Sequence, residues 1–455
     1  MKKNYLLGMA LIASLSFYSC DKEVVYVQDG NGVESVADGA QIITLQVENG
    51  GDGLATRAGR PLYSAEAKQT IQNVKLWICG DAGKVVYVKE ISDWNTDDVS
   101  TVYTTGGHGR QTTIELKDAD KLAAGTYKIY AVGYSSNSDY TLDAVTSVAK
   151  EGTFNENMVL PIKEGATNEI GEEIFAGQME LTVETGKGFK KPIVLNRQVA
   201  GAFAYVKDIP YIADARYLKL VASAQNQSLV LGNFNSVDLA YNGSGNGTNV
   251  KYVVNGTNGK AEGNYAYVIS TIDLTQWFKE IKDSDSDNLI DAGENWKNPY
   301  SSDGEGHPTF QKGSAFGGEF VIPFAHVDGK QTLTLQLTNA GGAVLRSWKV
   351  NLSSGDGQVA ENNNKVTYWT GSDWSEYATV ESSNTYSLVR NHLYGIGTRM
   401  NDQADPTNPG KDPDPEVPEE TPDPDKDKPE SLNNKQELVL KVNDNWEVIH
   451  GMELD

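Results

Sequence analysis

Cysteine is nearly missing from this chain: two occur in 455 residues, Cys20 and Cys79. A disulfide framework and a CxxC redox or zinc motif are therefore excluded. Histidine is as sparse, and the five residues His108, His307, His326, His392 and His450 stand singly, without an H-E-x-x-H metal pair. A G-x-S-x-G elbow, a P-loop and a dinucleotide fingerprint behind a strand are also absent, and glycine clusters such as 241–248 read as turns. Positive charge is in deficit, with Lys+Arg 39 against Asp+Glu 62 and a net charge of -23. This excludes nucleic acid, which needs a basic face, and favours solubility. Long apolar runs are missing beyond residues 5–17, and that run is shorter than the ~20 residues that span a bilayer. The expectation is a protein without catalysis; a carboxylate pair for glycoside hydrolysis stays open only because folding, not spacing, would create it.

What is present points to a mainly β protein. The length suits two or more domains, each with a core, and 39% hydrophobic against 22% charged residues is ordinary globular composition. Gly 45 and Tyr 22 go with short strands and turns, and few segments have helical spacing. The start, with Lys2 and Lys3 before the apolar run and Ser19-Cys20 after it, reads as a secretion signal over 1–19 with a lipobox-like end. Cys20 is then the lipidated first residue, and the route leads to the outer membrane. Cys79, in an apolar stretch, reads as a buried thiol without chemistry.

Along the chain, Ile43, Leu45 and Val47 alternate with Thr44 and Gln46 as a strand. The glycine-rich stretch 48–60 that comes next carries Arg57, Ala58 and Arg60, and it is either a connecting loop or a site open to an Arg-specific protease. Further strands are expected over 73–79, 84–91, 111–116, 125–134, 173–183 and 191–195 in a first domain, 58–195. A second domain, 196–400, carries strands over 201–206, 217–223, 250–254, 265–270, 318–323, 332–338, 344–351 and 386–397. Residues 273–282 predict the clearest helix, with Leu274, Trp277, Phe278 and Ile281 on one face. Tyr368, Trp369, Trp374 and Tyr377 are either packing residues or a sugar platform.

Residues 283–294 match the spacing of an EF-hand loop. Asp283, Asp285 and Asp287 take positions 1, 3 and 5, Leu289 offers a carbonyl, Asp291 fills position 9 and Glu294 position 12. Asn288 replaces the usual glycine. Carboxylates this dense repel unless a cation sits among them, so the pattern predicts a structural Ca2+; the alternative is a solvated acidic turn.

Residues 401–434 are acidic and hold eight of the 15 prolines, which reads as a tether. Behind it, in 435–455, Leu438, Leu440, Val442, Asp444, Trp446, Val448, His450, Met452 and Leu454 fall on one face of an overlong strand. Asp444 interrupts the row, so two paired segments with a break near 443–445 are expected.

The ordered set resembles the fimbrillin family, the lipoprotein pilins of Bacteroidales that build type V pili. The residues carrying the resemblance are Cys20 with Asp21-Lys22-Glu23, the strand 41–47 before Arg57-Ala58, Phe175-Ala176-Gly177, 196–200, 389–397, the Pro/Asp segment and the ending 437–450 with Trp446. The resemblance implies two tandem β-sandwich-like domains of transthyretin-like or Greek-key type, few short helices and a C-terminal donor strand. It also implies cleavage after Arg57 by an Arg-specific protease, which frees the propeptide 20–57 and its strand. The tail of a neighbouring pilin subunit, with Leu438, Leu440, Val442, Trp446 and Val448 as plugs, then enters the vacated groove. Alternatives within this expectation are the anchor or tip subunit of the same pilus, or a surface lipoprotein that binds glycans or host protein with its tail packed in cis.

Overall fold

The structure, a computed structural model, describes residues 26–28, 34–36, 39–48, 71–103, 109–163, 172–223, 226–233, 251–257, 267–299, 310–325, 332–352, 365–378, 387–391, 393–398, 428–433 and 437–442. Strands dominate. The first half holds β1 (Tyr26–Gln28), β2 (Glu34–Val36), β3 (Gln41–Glu48), β4 (Asn73–Cys79), β5 (Val85–Ile91), β6 (Thr101–Tyr103), β7 (Gly109–Leu116), β8 (Gly125–Tyr134), β9 (Val159–Pro161), β10 (Phe175–Val183) and β11 (Phe189–Arg197). The second holds β12 (Ala200–Lys207), β13 (Ala215–Ala222), β14 (Ser228–Val230), β15 (Lys251–Val254), β16 (Gly256–Thr257), β17 (Tyr267–Asp273), β18 (Ala315–Val321), β19 (Phe324–Ala325), β20 (Leu333–Asn339), β21 (Val344–Leu352), β22 (Lys365–Trp369), β23 (Trp374–Ala378), β24 (Ser387–Leu388), β25 (Leu393–Ile396), β26 (Glu430–Ser431) and β27 (Glu437–Val442).

The first sheet runs β5-β4-β8-β10-β11-β3-β7-β6. It folds at one seam. Strands β10 and β11 pair only through Phe175 with Arg197 and Ala176 with Asn196, then part into two layers. Gly177 marks the closest approach, because a Cβ there would collide with the Val194 carbonyl oxygen. Between the layers lie Ile43, Leu45, Val47, Ile114, Ile193 and Leu195 from one side and Val74, Leu76, Ile78, Ile129 and Phe175 from the other. Strands β4 and β8 are apolar on both faces, since Trp77, Cys79, Tyr130, Val132 and Tyr134 point away from this sandwich into the larger core. That is why β8 is buried without a break from Ile129 to Tyr134, past a largely exposed start at Gly125 to Lys128.

The second sheet runs β17-β13-β20-β21-β27-β25-β12-β18 and curls until its end strands meet. A Cβ on Gly317 of β18 would lie 2.7 Å from Ile272 of β17. An aromatic cluster of Phe203, Tyr205, Trp277, Phe310 and Phe316 fills the curl, with ring centroids 4.9 to 5.9 Å apart. The larger core is continuous across the halves, and β9 of the first half pairs with β14 of the second.

Three expectations are corrected. The helix expected over 273–282 is a single turn, Leu274–Trp277, capped where Asp273 accepts from the Thr275 N–H. It stops because Phe278 turns extended and bridges Trp296. The strand expected over 386–397 is broken in two, β24 and β25, at Asn391, whose φ of 57° takes it out of the sheet. The stretch 401–434 is not one free tether, because its last part is docked. Thr398 and Lys428 exchange reciprocal backbone hydrogen bonds of 2.8 Å, and Leu432 is fully buried with its N–H donating to Lys207 O at 2.9 Å. No helix among the described residues is long and apolar enough to cross a membrane.

Candidate functional site: two chain-end strands and an acidic loop

Each half of the molecule is completed by a strand from near one end of the chain. In the first half it is β3, parallel to β11 over seven pairs from Phe189↔Gln41 to Leu195↔Val47, and antiparallel to β7 over eight. Its alternation puts Ile43, Leu45 and Val47 wholly inside, while Thr44 and Gln46 face outward. Gln46 Nε2 donates to Gln111 Oε1 at 3.0 Å, and Gln41 exchanges hydrogen bonds with the Leu122 backbone at 2.7 and 2.9 Å. Each buried aliphatic side chain stabilises by roughly 1.5–3 kcal/mol, so the three hold this strand by about 5–9 kcal/mol before the ladder is counted. Removing it would open two sheet edges at once, those of β11 and β7. Cys20, Arg57, Ala58 and Arg60 lie outside the described residues, Arg57 being nine positions past Glu48.

In the second half the completing strand is β27. It is parallel to β21 from Lys349↔Glu437 to Leu352↔Leu440 and antiparallel to β25 from Tyr394↔Val442 to Ile396↔Leu440. Leu438 and Leu440 enter the large core, while Val439 is 40% exposed. Glu437 lies near Asn351 and Lys349, at 3.1 and 3.6 Å. The first part of the tail is thus packed in cis in the single subunit, the arrangement named among the alternatives above. It ends at Val442, where the polar run begins; Trp446, Val448 and the rest of 443–455 lie outside the described residues.

Where the halves join, the segments 173–177, 196–200 and 389–391 build a buried polar hub. Arg197, fully buried, donates from Nε to Glu173 Oε1 at 2.7 Å and lies between the rings of Phe175 and Phe320, 5.0 and 5.6 Å from their centroids. Burial pulls the guanidinium below its ordinary range while Glu173 pulls it back. Arg390 donates to Gln198 Oε1 at 3.0 Å and to the carbonyls of Gly232 and Asn233 at 2.9 and 2.7 Å. Gln198 also donates to Asn196 O, and Asn255 Nδ2 donates to Gln198 O. Sequence reasoning marked these segments without their purpose. The one available signal was arginine amid apolar residues at strand ends.

The acidic loop brings three of its predicted ligands together. One carboxylate oxygen each of Asp283, Asp285 and Asp287 lies within 4.8 Å of the others. Asp283 accepts from the Asp287 and Asn288 N–H groups at 3.2 and 3.0 Å, and Ser286 and Asn288 adopt left-handed φ of 64° and 67°. At Asp285 the Asp287 N–H pulls the carboxyl down, but desolvation, the charge of Asp287, a side-chain hydrogen bond with Asp283 and the charge of Asp291 outweigh it, and the group sits above the usual range. Asp291 is turned away onto Ser284, whose N–H and hydroxyl donate to it at 2.9 and 2.6 Å and hold it below that range. Glu294 is exposed and outside the three-carboxylate cluster, and Leu289 bridges Pro210. The loop is closed by the Phe278–Trp296 bridge and by Asn295, not by a second helix.

Trp369 and Trp374 face each other across the β22–β23 turn at 5.2 Å and 69°, and Trp374 Nε1 donates to Asn157 Oδ1 at 2.9 Å. Trp374 thereby ties the hairpin to the first half, and the two rings, tilted at 69°, form no flat platform. The Tyr377 side chain lies outside the described residues. Cys79 is buried, and desolvation pushes its thiol up to about 12, which leaves it without thiolate reactivity.

Residues 44–268 match the profile of the family described as fimbrillin-A associated anchor proteins Mfa1 and Mfa2. Among solved structures, the fimbrial anchor protein Mfa2 from Porphyromonas gingivalis is similar at 11% identity over 77% of this chain and 99% of that one, with a TM-score of 0.34. The tip fimbrial protein Mfa3 with C-terminal truncation, from the same organism, aligns at 12% identity over 78% and 93%, TM-score 0.32. A fimbrial assembly protein from Parabacteroides distasonis aligns at 13% over 80% and 91%, TM-score 0.33. No curated protein matches the sequence significantly.

Proposed function

Since the chain belongs to the fimbrillin family, we propose that it is a structural subunit of a cell-surface fimbrium that polymerises by strand exchange. The observation that carries this reading is the place of β3: an inner strand, paired on both edges, supplied by a segment that precedes an arginine-bearing stretch. An Arg-specific protease cutting after Arg57 separates β3 from the rest of its sheet covalently, and its departure leaves a groove about eight residues long between β11 and β7. A neighbour's tail fills it with backbone hydrogen bonds and alternate apolar side chains. Donor and acceptor surfaces differ, so the contact repeats head to tail and makes a filament. Cys20, lipidated, holds the precursor at the outer membrane until the cut releases the mature subunit. The Asp283, Asp285 and Asp287 cluster binds a structural Ca2+ that neutralises the loop, with no part in assembly.

The test is limited trypsin digestion with N-terminal sequencing and electron microscopy of the product. A new N-terminus at Ala58 and filaments are expected; a chain cut at Arg57 that stays monomeric would refute the reading. An anchor subunit of the same fimbrium would instead keep β3 uncut.

A further inference from the structure

A slot that is to be emptied and refilled must persist while it is empty, and we infer that Pro192 keeps the slot of β3 open by barring β11 from closing onto β10 as a hairpin. The exchange proposed above gives this barrier its purpose, but the barrier itself belongs to one subunit, whatever refills the slot.

Strands β10 and β11 are consecutive, with only residues 184–188 between them. At their joined end the Gln198 N–H donates to Ile174 O at 2.7 Å, and the pairs Phe175↔Arg197 and Ala176↔Asn196 follow. Continued without a shift, that register would set Val194 opposite Gln178, Pro192 opposite Glu180, Lys190 opposite Thr182 and Phe189 opposite Val183. The last two residues flank the loop, so a single register would zip the whole hairpin. Such a closure is local and its loop is short, which makes β10 the nearest rival for β11 once β3 has gone. It would also destroy the slot, whose two walls are β11 and β7.

Backbone directions show how the proline acts. The Phe189 N–H donates to Ala40 O, just before β3, at 2.8 Å, whereas the Gln198 N–H turns to β10. Successive residues of a strand bond to opposite sides, so 189, 191, 193 and 195 serve β3, and 190, 192 and 194 face the gap towards β10. Val194 agrees, because its carbonyl oxygen is what a Cβ on Gly177 would meet. At the middle of that gap-facing row Pro192 has no N–H, and closure would leave Glu180 O without its ladder donor. In the open arrangement this same carbonyl is served from outside the ladder, by Lys191 Nζ. Lysine and proline are the two residues that keep an unpaired strand edge from pairing. The ladder to β3 loses nothing by the proline, since Pro192 stands opposite Thr44 at a position that bonds to the other side. The gap-facing row meets β2 at Lys190↔Glu34, and not β10.

Hydrogen exchange on the full, uncut chain tests this. Leu45→Asp sets a carboxylate at a wholly buried position and is expected to expel β3. With Pro192 in place, the gap-facing amides of Gln178, Glu180 and Thr182 should then stay as open to exchange as in the unaltered chain. A synthetic peptide of residues 39–48 should enter the slot and restore the lost Tm. With Pro192→Val added, those amides should slow by about 10-fold and the peptide should bind about 10-fold more weakly, the factor that one regained ladder hydrogen bond supplies. In the chain with its own β3, Pro192→Val alone should speed exchange at 41–47 by about 10-fold and leave β13 and β20 unchanged, a readout that does not require the Leu45→Asp chain to fold. Protection of 178, 180 and 182 with Pro192 present, or equal exchange and equal peptide binding with and without the proline, would overturn the barrier. Filaments play no part in these readouts, so a barrier found in subunits that never polymerise would uphold the inference and refute the exchange alone.

Discussion

Replacing Leu440 with Ala tests whether β27 belongs to its own subunit. Leu440 is fully buried, with Leu352 on one side and Ile396 on the other as its sheet partners. Deleting most of such a side chain removes its transfer free energy and leaves a cavity, together about 2–5 kcal/mol. A domain of this size loses roughly 2–4 °C per kcal/mol, so the transition of the second half should fall by about 4–20 °C. Val439, one residue away on the same strand but 40% exposed, is the internal control, and its Ala variant should stay within ~0.5 kcal/mol, or about 2 °C. Differential scanning calorimetry of the uncut, monomeric chain reads both, and hydrogen exchange at 438–442 reports the strand's pairing directly. Equal Tm values for Leu440→Ala and Val439→Ala, with fast exchange at 438–442, would mean that the strand is not held in its own sheet, and the argument built on it would fail.

Other consequences are as direct. Arg197→Met takes the guanidinium from the buried Glu173 carboxylate and should cost about 3–5 kcal/mol in urea unfolding, whereas the double variant with Glu173→Leu should recover most of it; no recovery would show that the pair is not the link. Asp285 has a folded-state carboxyl raised above its unfolded value, so the folded state binds the proton more tightly. Its penalty is complete above the folded pKa and relieved as pH falls through it. Asp285→Asn should therefore raise Tm in EDTA and lower it in calcium, and a rise of equal size in both would remove the cation from the account. Gly177→Ala places a methyl against the Val194 carbonyl and should abolish soluble expression or lower Tm sharply, while Gly186→Ala, with open space around it, should show only the modest strain of its φ of 74°.

Alternation in the sequence made the sandwich strands legible. The rows of Ile43, Leu45, Val47 and of Leu438, Leu440 each declare one buried face, and both are buried. What alternation does not carry is the partner. Leu438 and Leu440 satisfy equally well a groove in the same subunit or in another, because backbone pairing is indifferent to the sequence across it. The helix over 273–282 failed for a related reason. Leu274, Trp277, Phe278 and Ile281 have helical spacing, yet Phe278 gains more from pairing with Trp296, eighteen positions on, than from a second turn. The acidic loop shows the limit of spacing: Asp283, Asp285 and Asp287 converge as their periodicity demands, whereas Asp291 has a nearer partner in Ser284. The hub at Arg197 and Arg390 was legible only as marked segments, since its partners come from four separate stretches of the chain.

The reciprocal bonds between Thr398 and Lys428 make the stretch between them a side branch and not a link in series. Twenty-nine residues, 399–427, depart and return at one point of the sheet. Doubling that length adds only about 0.6 kcal/mol of closure entropy. Foreign peptides spliced between Thr398 and Lys428 should therefore leave β25, β26 and β27 in register, because the sheet is pinned on both sides of the insertion.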